Sequence, residues 1–257
     1  MELSLASLGW LTLKRYTDLS VYLSNIFLEQ SFLYWKCLLF RGFHAKRIQT
    51  GLTIFVPTLT TGVMKLKSKR DVLVDTALRL FYTQGFNATG IDKILAESGV
   101  AKMTMYKHFK SKDELILAAL TRRDEQFRDW LTSSMQTASA NPREQLLAMY
   151  DALEEWFHGR AFKGMGFSGC AFINASGEFA KLDHPAHQIA AEHKRCILDY
   201  ITDLCDQAGA ANPKQLAEEL ALLKEGAIVT AQVRGMPDAA KIAKTIATAL
   251  LDAALPA

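Results

Sequence analysis

The sequence predicts an all-α protein, on three observations. Six prolines and 15 glycines in 257 residues are few for a fold of many short strands and turns. Alanine, leucine and lysine, which favour helices, are abundant. From residue 70 onward, apolar residues recur at the three- and four-residue spacing of a helix. At 49% apolar and 22% charged residues, the chain can form one or two domains with a sizeable core.

Residues 1–63 differ in composition from the rest of the chain. They contain 2 of the 34 alanines but 10 of the 25 aromatic residues. Within them, the apolar run 21–40 has the length of a membrane span, although it includes Glu29 and Lys36. We expect Met64 to be the natural start and residues 1–63 to be a dispensable leader. An amphipathic arm that binds a membrane or a partner is the alternative.

Formal charge is unevenly distributed along the chain. Residues 64–112 hold 10 Lys/Arg against 4 Asp/Glu, whereas residues 113–257 hold 14 against 20. Basic side chains gain free energy beside a polyanion because counterions are released. A basic block followed by an acidic body therefore indicates a nucleic-acid-binding head and a regulatory domain, which we place at residues 64–115 and 116–257.

Three short helices are predicted in the basic block. The first spans 70–84 and ends at Gly85, because glycine readily adopts the conformation that terminates a helix. Thr89 is predicted to cap the second helix, 91–98, with its side-chain oxygen. The third helix runs from 102 to about 109, after a glycine turn.

A longer fourth helix is predicted to begin after Ser111. Glu114, three residues further on, completes the pattern of a capping box, and the helix continues to about residue 135. Helical periodicity, together with proline in the first turn of several segments, predicts the remaining helices. These helices are expected at about 141–158, 169–179, 183–207, 212–233 and 236–251.

Two short helices joined by the turn 99–101 have the helix-turn-helix arrangement, in which the second helix lies in the DNA major groove. A small helical hairpin without a role in DNA binding is the alternative. Amphipathicity alone does not require hydrogen-bond donors on the exposed face, yet the second of these helices is rich in them. The predicted exposed donors are Lys102, Thr104, Lys107 and His108.

The run ALRLFYTQGFNATGIDKILAESGVAKMTMYKHFKSKDELI resembles the N-terminal domain of the tetracycline-repressor-like (TetR/AcrR) transcriptional regulators. The resemblance covers about fifty residues without a gap. It includes F-x-x-x-G-F at the end of the first helix, the G-V-A-K turn and the T-M-Y-K-H-F recognition helix. One departure is Leu95, where helix-turn-helix proteins commonly keep alanine, and we expect a small repacking there.

The resemblance implies a role for each polar position of this region. Thr89 and the start of the second helix fall on the phosphate-binding position. The positions that meet base edges are Lys102, Met103 and Thr104. The positions that contact the sugar-phosphate backbone are Tyr106, His108 and Lys112. Lys107 is either a DNA contact or a solvated lysine, while a core role for Tyr106 and a half-buried cap for His108 are the alternatives.

A small-molecule pocket is predicted beside the segment 159–169, which contains four glycines and borders several aromatic residues. Aromatic walls with one amide favour an apolar or aromatic effector of modest size; a purely structural core is the alternative. The predicted effector-binding residues are Trp130, Trp156, Phe167, Cys170, Phe172 and Asn174. The fourth helix is expected to be the one element that reaches from the head to the body.

Small residues mark the last two helices. The predicted contact faces are Leu216, Leu220, Leu223 and Ala227 on one, and Ala240, Ala243, Ala247 and Leu250 on the other. Such faces permit close helix approach, either within one subunit or between two. The resemblance implies a four-helix interface in a homodimer, whose twofold symmetry matches a palindromic operator.

Other chemistries have weaker support in the sequence. Asp183, His184, His187, His193 and Cys196 are spaced so that a metal site is conceivable, but scattered surface histidines explain them equally well, and we predict no metal or cofactor. Motifs of nucleophilic, nucleotide-binding and zinc-dependent enzymes are missing from the sequence, so no enzyme is predicted.

The cysteines bear on both localisation and function. The four of them form no CxxC pair, which favours free thiols in a reducing compartment and therefore a cytoplasmic protein. Cys170 is either a redox or electrophile sensor or a buried thiol, and its apolar neighbours favour the second.

Together these patterns predict a ligand-responsive, homodimeric DNA-binding regulator, most simply a repressor released by its effector. A membrane-associated protein anchored through residues 1–63 is the alternative function. In that alternative the basic block would meet anionic lipid instead of DNA.

Overall fold

All regular secondary structure is helical within residues 67–255, the part of the chain that this computed structural model describes. The all-α prediction is confirmed. The leader, residues 1–63, lies outside the described residues. In chain order the helices are α1 (Lys69–Gln84), α2 (Ile91–Ser98), α3 (Lys102–His108), α4 (Lys112–Ala138), α5 (Pro142–Phe157), α6 (Ala171–Glu178), α7 (Pro185–Gln207), α8 (Pro213–Arg234) and α9 (Ala239–Ala254).

Side-chain caps begin several helices where the sequence predicts them. The Ser111 hydroxyl accepts the backbone N–H of Glu114 at 3.2 Å, while the Glu114 carboxylate accepts the N–H of Lys110 at 2.7 Å. Asn141 and Asn212 cap α5 and α8 in the same way, each followed by a proline that has no N–H to satisfy. A cap of this kind contributes about 1 kcal/mol.

The predicted cap of α2 is wrong. Thr89 is fully buried, and its hydroxyl donates to the carbonyl oxygen of Gly85 at 2.8 Å, inside the turn that joins α1 to α2. Gly90 holds the cap position in extended backbone, without a side-chain bond. The threonine therefore stabilises the turn, one residue before the place where a cap is needed.

The head is assembled around α1, which packs against α2, α3 and α4. Burial of each large apolar side chain there contributes about 1.5–3 kcal/mol. Leu95 is half-buried and packs against the same core. The fully buried side chains of the head include Leu73, Leu80, Phe81, Ile94, Met105 and Leu115.

The body consists of the longer helices. The 27-residue helix α4 runs from the head into it and packs against α5 and α7. Helix α7 also packs against α6 and α8, and α9 lies against both α5 and α8. The sequence places these helices correctly, with ends that differ from the expected ones by a few residues.

The predicted small-residue faces of α8 and α9 belong mainly to the subunit core. Six of their eight members are buried within the chain, and Leu223 and Leu250 are half-buried. This burial favours the intramolecular alternative for these faces, since α8 packs against α9 within the chain. The large apolar residues exposed on these two helices are Leu222, Val229, Val233, Ile242 and Ile246.

A membrane span is not found among the helices of residues 67–255: none of them combines the length and the hydropathy that crossing a bilayer needs. The apolar run 21–40, on which the membrane alternative depends, lies outside the described residues.

Candidate functional site

The helix-turn-helix geometry begins at Gly99, whose left-handed backbone (φ +64°) ends α2 and reverses the chain toward α3. A residue with a β-carbon rarely adopts this conformation. Beyond the turn, Met105 and Phe109 are buried in the head and hold α3 by one face. The opposite face of α3 is consequently left in solvent.

The solvent face of α3 carries the residues predicted to contact DNA. Met103 is 72% and Tyr106 43% exposed, and the side chains of Lys102, Lys107 and His108 are exposed as well. The structure thus favours the exposed interpretation of Tyr106 and His108 over the core alternatives. Thr104 is half-buried on the same helical turn as Lys102.

The two lysines that flank α3 differ in their surroundings. Lys102 Nζ lies 3.6 Å from Asp92 Oδ1, and both side chains are well exposed, so this pair is weak and easily replaced by a nucleic acid. Lys112 Nζ donates to the carbonyl oxygen of Asn87 at 3.1 Å, which orients the lysine beside the α1–α2 turn. Lys102 is therefore the more available donor of the two.

Thr89, predicted to bind a phosphate, is not available for that contact through its side chain. The side chain is fully buried, and the hydroxyl is bonded to Gly85. The start of α2 nevertheless remains accessible, because Gly90 and Asp92 are exposed. Backbone N–H groups at a helix start can bind a phosphate without help from a side chain.

In the body, three of the predicted pocket residues form one aromatic cluster. Trp156 lies at its centre, with ring centroids 5.1 Å from Phe167 and 6.2 Å from Trp130. Phe127, which was not predicted to line the pocket, joins them at 4.9 Å from Trp156. Phe162 completes the group, 5.0 Å from Trp130.

Phe172 adjoins this cluster through His193. It stacks on the His193 ring with centroids 3.7 Å apart, and the same ring lies 5.4 Å from that of Phe127. The Asn174 amide donates to Ser168 O at 3.0 Å and accepts from Gln232 at 3.0 Å, so its polar atoms are occupied by the protein. Phe172 and Asn174 therefore lie in α6 beside the cluster, and neither lines the groove that Trp130 lines.

Arg123 is a buried residue that no sequence pattern indicates. Its side chain is 1% exposed, and its guanidinium carbon lies 4.0 Å from the ring centroid of Phe162 and 5.3 Å from that of Tyr82. Within the described residues, neither Nη1 nor Nη2 has a hydrogen-bond partner. An arginine on a predicted helix is expected to be solvated, so periodicity gave no signal for it.

Two further cations lie in the same body, Lys224 buried and Lys194 half-buried. Lys194 Nζ donates to Glu225 at 2.6 Å and to Cys170 Sγ at 3.4 Å, and Lys224 also bonds to Glu225. Burial by itself raises the pKa of Glu225, but the two lysine charges outweigh it and lower the pKa to about 2. One carboxylate is thus shared by two lysines. Cys170 is buried, as its apolar neighbours indicate.

His193 and Asp124 form a buried pair between α7 and α4. Their Nδ1 and Oδ1 atoms are 2.8 Å apart, and Arg128 binds the same carboxylate with two N–H groups. Burial lowers the pKa of His193 to about 4, although the bond to Asp124 opposes the shift. The imidazole is therefore neutral near pH 7 and donates to Asp124. At 2% exposure, His193 is not the surface residue that we expected.

The histidines near the start of α7 have structural partners. His184 caps the helix by accepting the N–H of Ala186, and the His187 ring bonds to Phe179 O. Among residues 67–255, no three His, Cys, Asp or Glu side chains are grouped so that they could hold a metal ion.

Head and body are joined by more than α4, contrary to the expectation. The Tyr82 hydroxyl, on α1, donates to Gly169 O at 2.8 Å and accepts the N–H of Ser168 at 2.9 Å. The Glu178 carboxylate, at the end of α6, accepts the backbone N–H groups of Phe86 at 2.7 Å and Asn87 at 2.6 Å. The first link joins the head to the glycine-containing segment, and the second joins it to the C-terminal end of α6.

Two surface grooves flank that segment. One, of about 600 Å³, is lined by Phe157, Phe167 and Gln232 among others. The second, of about 450 Å³, is lined by Trp130 and Ala161 among others. Both fall within the range of small-molecule sites, roughly 300–1,000 Å³.

Comparisons with known proteins support both halves of this description. Residues 73–119 match the family model "Bacterial regulatory proteins, tetR family", and residues 142–247 match "Tetracyclin repressor-like, C-terminal domain". The crystal structure of SCO4454, a TetR-family transcriptional regulator from Streptomyces coelicolor, superposes with a TM-score of 0.65 and 30% identity over 72% of this chain and 95% of that one.

Curated relatives give the same result at lower identity. The transcriptional regulator YjdC of Escherichia coli is 24% identical over 62% of this chain and 81% of its own length. The transcriptional repressor NemR of Escherichia coli is 25% identical over 64% of this chain and 84% of its own. The crystal structure of reduced NemR has the same fold, with a TM-score of 0.62.

A short helix with exposed donors behind a glycine turn, on an α-helical body, defines a helix-turn-helix transcriptional regulator and not an enzyme. More narrowly, the chain belongs to the TetR family of bacterial transcriptional regulators. The resemblance noted in the sequence is thereby confirmed.

Proposed function

We propose that the protein is a homodimeric transcriptional repressor that binds a palindromic operator and releases it when a small molecule binds in the body. The proposal assigns DNA binding to residues 64–115, and effector binding and dimerisation to residues 116–257. The observation that carries it is the solvent face of α3, where Lys102, Tyr106 and Lys107 stand exposed within the basic block. The relative NemR is a transcriptional repressor, which supports repression as the sign of regulation.

Operator binding can be tested without knowing the operator. The purified full chain is mixed with a pool of random duplex DNA at physiological salt, and bound fragments are sequenced. We expect an inverted repeat whose half-sites are centred about 34–36 Å apart, because two recognition helices of a dimer enter successive major grooves. Enrichment of a single unrepeated motif, or of none, would contradict the proposal.

A second copy of the chain is the proposed occupant of the exposed apolar surface on α8 and α9. Leu222, Val229 and Val233 follow one another at helical spacing on α8, and Ile242 and Ile246 do so on α9. Exposed apolar side chains grouped in this way mark an interaction site. Twofold pairing of the two helices would bury all five, in agreement with the four-helix interface that the family resemblance implies.

Charge placed on this surface should separate the subunits. The double variant Val229→Glu, Ile246→Glu is expected to convert a dimer into a monomer, because a twofold interface would bury four carboxylates without partners. Analytical ultracentrifugation gives the mass. Leu182→Glu, at a residue 78% exposed outside α8 and α9, is the matched control and should leave the dimer intact. A double variant that stays dimeric at micromolar concentration would refute this interface.

Coupling between effector and operator is proposed to pass through the links of Tyr82 and Glu178 as well as through α4. Both residues bond across the boundary between head and body, and Tyr82 does so at Ser168 and Gly169 of the segment 159–169. A ligand that moves this segment would also move the turn between α1 and α2, and so tilt α3. A small tilt suffices, because the spacing of two successive major grooves is fixed.

Removal of the Glu178 charge should loosen the head. Glu178→Gln keeps one acceptor oxygen but sets an amide N–H₂ against a backbone N–H. We expect the free energy of unfolding to fall by roughly 1–3 kcal/mol, and amide exchange at Phe86 and Asn87 to accelerate. Denaturant titration and hydrogen exchange measure the two effects. Glu155→Gln, which affects only a surface pair with Arg160, should change stability by less than about 1 kcal/mol. Equal effects for both variants would exclude a special role for Glu178.

A further inference from the structure

The Arg123 guanidinium is a buried cation with unsatisfied hydrogen-bond donors. Within the described part of the chain, Nη1 and Nη2 bond to nothing, although the side chain is only 1% exposed. The great majority of buried polar groups in proteins have a hydrogen-bond partner, and burying a donor without one is strongly unfavourable. Burial also lowers the pKa of Arg123, yet a guanidinium stays protonated in proteins. The cation therefore remains in the interior without a counter-ion.

The rings around Arg123 do not replace an anion. Phe162 and Tyr82 lie at 4.0 and 5.3 Å from the guanidinium carbon, and Phe127 and Trp156 lie at 5.6 and 5.8 Å. Cation–π contacts stabilise the charge, but the four N–H bonds of the two terminal nitrogens lie in the guanidinium plane and need acceptors. An oxygen ligand placed at the edge of the guanidinium would supply them.

Carboxylates elsewhere in the body are committed to other partners. Asp124 binds His193 and Arg128, and Glu225 is shared by Lys194 and Lys224. Neither carboxylate is therefore available to Arg123. A molecule that brought one negative charge to Arg123 would supply the counter-ion that the guanidinium lacks.

A second donor lies on the same side of the cluster. The indole Nε1 of Trp156 is buried and has no hydrogen-bond partner among residues 67–255. Burial raises the pKa of Tyr82, and the N–H of Ser168 and the nearby indole of Trp156 both oppose this rise. The indole N–H nevertheless does not reach hydrogen-bond geometry with the Tyr82 hydroxyl. The planar guanidinium of Arg123 and the indole N–H of Trp156, both beside aromatic rings, match a ligand that consists of a carboxylate on an apolar skeleton.

Phe162, in the glycine-containing segment 159–169, covers the site formed by Arg123 and Trp156. Gly159, Gly164 and Gly169 in the segment have positive φ angles of 73°, 74° and 81°. The segment also contributes to the linings of the 600 and 450 Å³ grooves on its two sides. Phe162 is half-buried and is the ring nearest to the guanidinium, so its displacement toward solvent would uncover the charge.

We propose that Arg123, with Trp156, binds the carboxylate of an apolar or aromatic organic acid, which takes the place of Phe162 beside the guanidinium. Resting on the proposed function, this assigns the effector to the organic acids and not to neutral aromatic compounds. Tyr82, beside Arg123 and bonded to Gly169, connects the bound acid to the DNA-binding head.

The test compares acids with their uncharged counterparts. Benzoate, phenylacetate and octanoate are each titrated, at millimolar concentration and constant ionic strength, into the full chain without DNA, alongside benzamide, phenylacetamide and octanamide. Thermal unfolding and tryptophan fluorescence report binding. We expect at least one acid to bind tenfold or more tightly than its amide. No stabilisation by any of the three acids, or equal stabilisation by acids and amides, overturns the proposal.

Variants then assign the binding to the site. Arg123→Lys keeps the charge but loses the planar fork, and should weaken acid binding at least tenfold. Trp156→Phe keeps the ring but loses the N–H, and should weaken it several-fold. The matched control Lys163→Met removes an exposed cation next to Phe162 and should bind as the unchanged chain does. Loss of binding in Lys163→Met alone would move the site to the surface and overturn the assignment.

Arg123→Met tests the buried charge without any ligand. If Arg123 is held for an anion, replacing it with an apolar side chain of similar length should raise the unfolding temperature of the ligand-free chain. A fall of the unfolding temperature by more than 5 °C would make Arg123 a structural residue and overturn the proposal.

Failure of this proposal is distinguishable from failure of the proposed function. Selection of an inverted repeat from random DNA tests the regulator, and acid binding by the DNA-free chain tests the site. The acid that binds should lower operator affinity by the same factor by which the operator lowers acid affinity. Acid binding that leaves operator affinity unchanged would overturn the effector assignment while the DNA-binding function stands.

Discussion

Acidification from pH 6.5 to pH 4 is expected to lower the free energy of unfolding by about 3 kcal/mol through His193. In the unfolded chain this imidazole takes up a proton near its ordinary pKa of 6.5, whereas burial delays protonation of the folded chain until about pH 4. Between these values the unfolded state binds more protons, so stability falls as the pH falls. Below about pH 4 the contribution is lost completely.

Urea titrations at half-unit steps of pH measure the slope. The charged groups that face His193 are Asp124, Lys194 and Lys224, and burial and the lysines lower its pKa while Asp124 raises it. His193→Gln keeps a donor for Asp124 and removes the imidazole titration, so its stability should fall much less than that of the unchanged chain between pH 6.5 and about pH 5, above the range in which carboxylates such as Glu225 contribute. Burial raises the pKa of Asp124, but its bonds to His193 and Arg128 outweigh burial and lower it. In the folded chain Asp124 therefore keeps its charge while His193 becomes protonated in the unfolded chain. A variant with the slope of the unchanged chain would exclude His193 as the cause.

Operator affinity is expected to fall by roughly 2–6 kcal/mol per dimer in Lys102→Ala, because one base contact of about 1–3 kcal/mol is lost from each half-site. Lys102 is the exposed donor in the first turn of α3, and its link to Asp92 is a weak surface pair. The loss should be largest on the cognate operator and small on random DNA.

Lys112→Ala is the contrasting variant. Its lysine is bonded to Asn87 O at the start of α4, where a phosphate contact is proposed. Binding should weaken nearly equally on all sequences, and the salt dependence should decrease by about one unit for each phosphate contact removed. Filter binding at several salt concentrations separates the two patterns. Identical losses on cognate and random DNA for both variants would refute the division of roles between Lys102 and Lys112.

Most helices of residues 67–255 could be predicted because their signals are local. Caps such as Ser111 and Asn141 act on N–H groups two or three residues away, and Gly99 ends α2 within its own turn. Thr89 shows the limit of such reasoning. A threonine before a helix has the right chemistry for a cap, but whether it occupies that position depends on how the preceding turn packs.

The interior of the body was less predictable because its polar contacts join distant parts of the chain. Tyr82 meets Gly169 across 87 positions, and Glu178 meets Phe86 across 92. A helical pattern places arginine and histidine on the solvent side by default, and it cannot show that two helices enclose them, as they enclose Arg123 and His193. The small residues of α8 and α9 were recognised, but their spacing alone does not distinguish an intramolecular neighbour from a second subunit.

The Glu178 carboxylate has a consequence for engineering. Head and body of this regulator are not interchangeable modules, because the turn between α1 and α2 finds two of its hydrogen-bond acceptors on α6 of the body. A hybrid regulator made by joining this head to a foreign body within α4 would keep a continuous helix yet leave the N–H groups of Phe86 and Asn87 without Glu178. In such a hybrid, an acidic residue must be introduced at the end of the helix of the foreign body that corresponds to α6. Only then would the turn between α1 and α2, and with it the recognition helix, be held as it is in this chain.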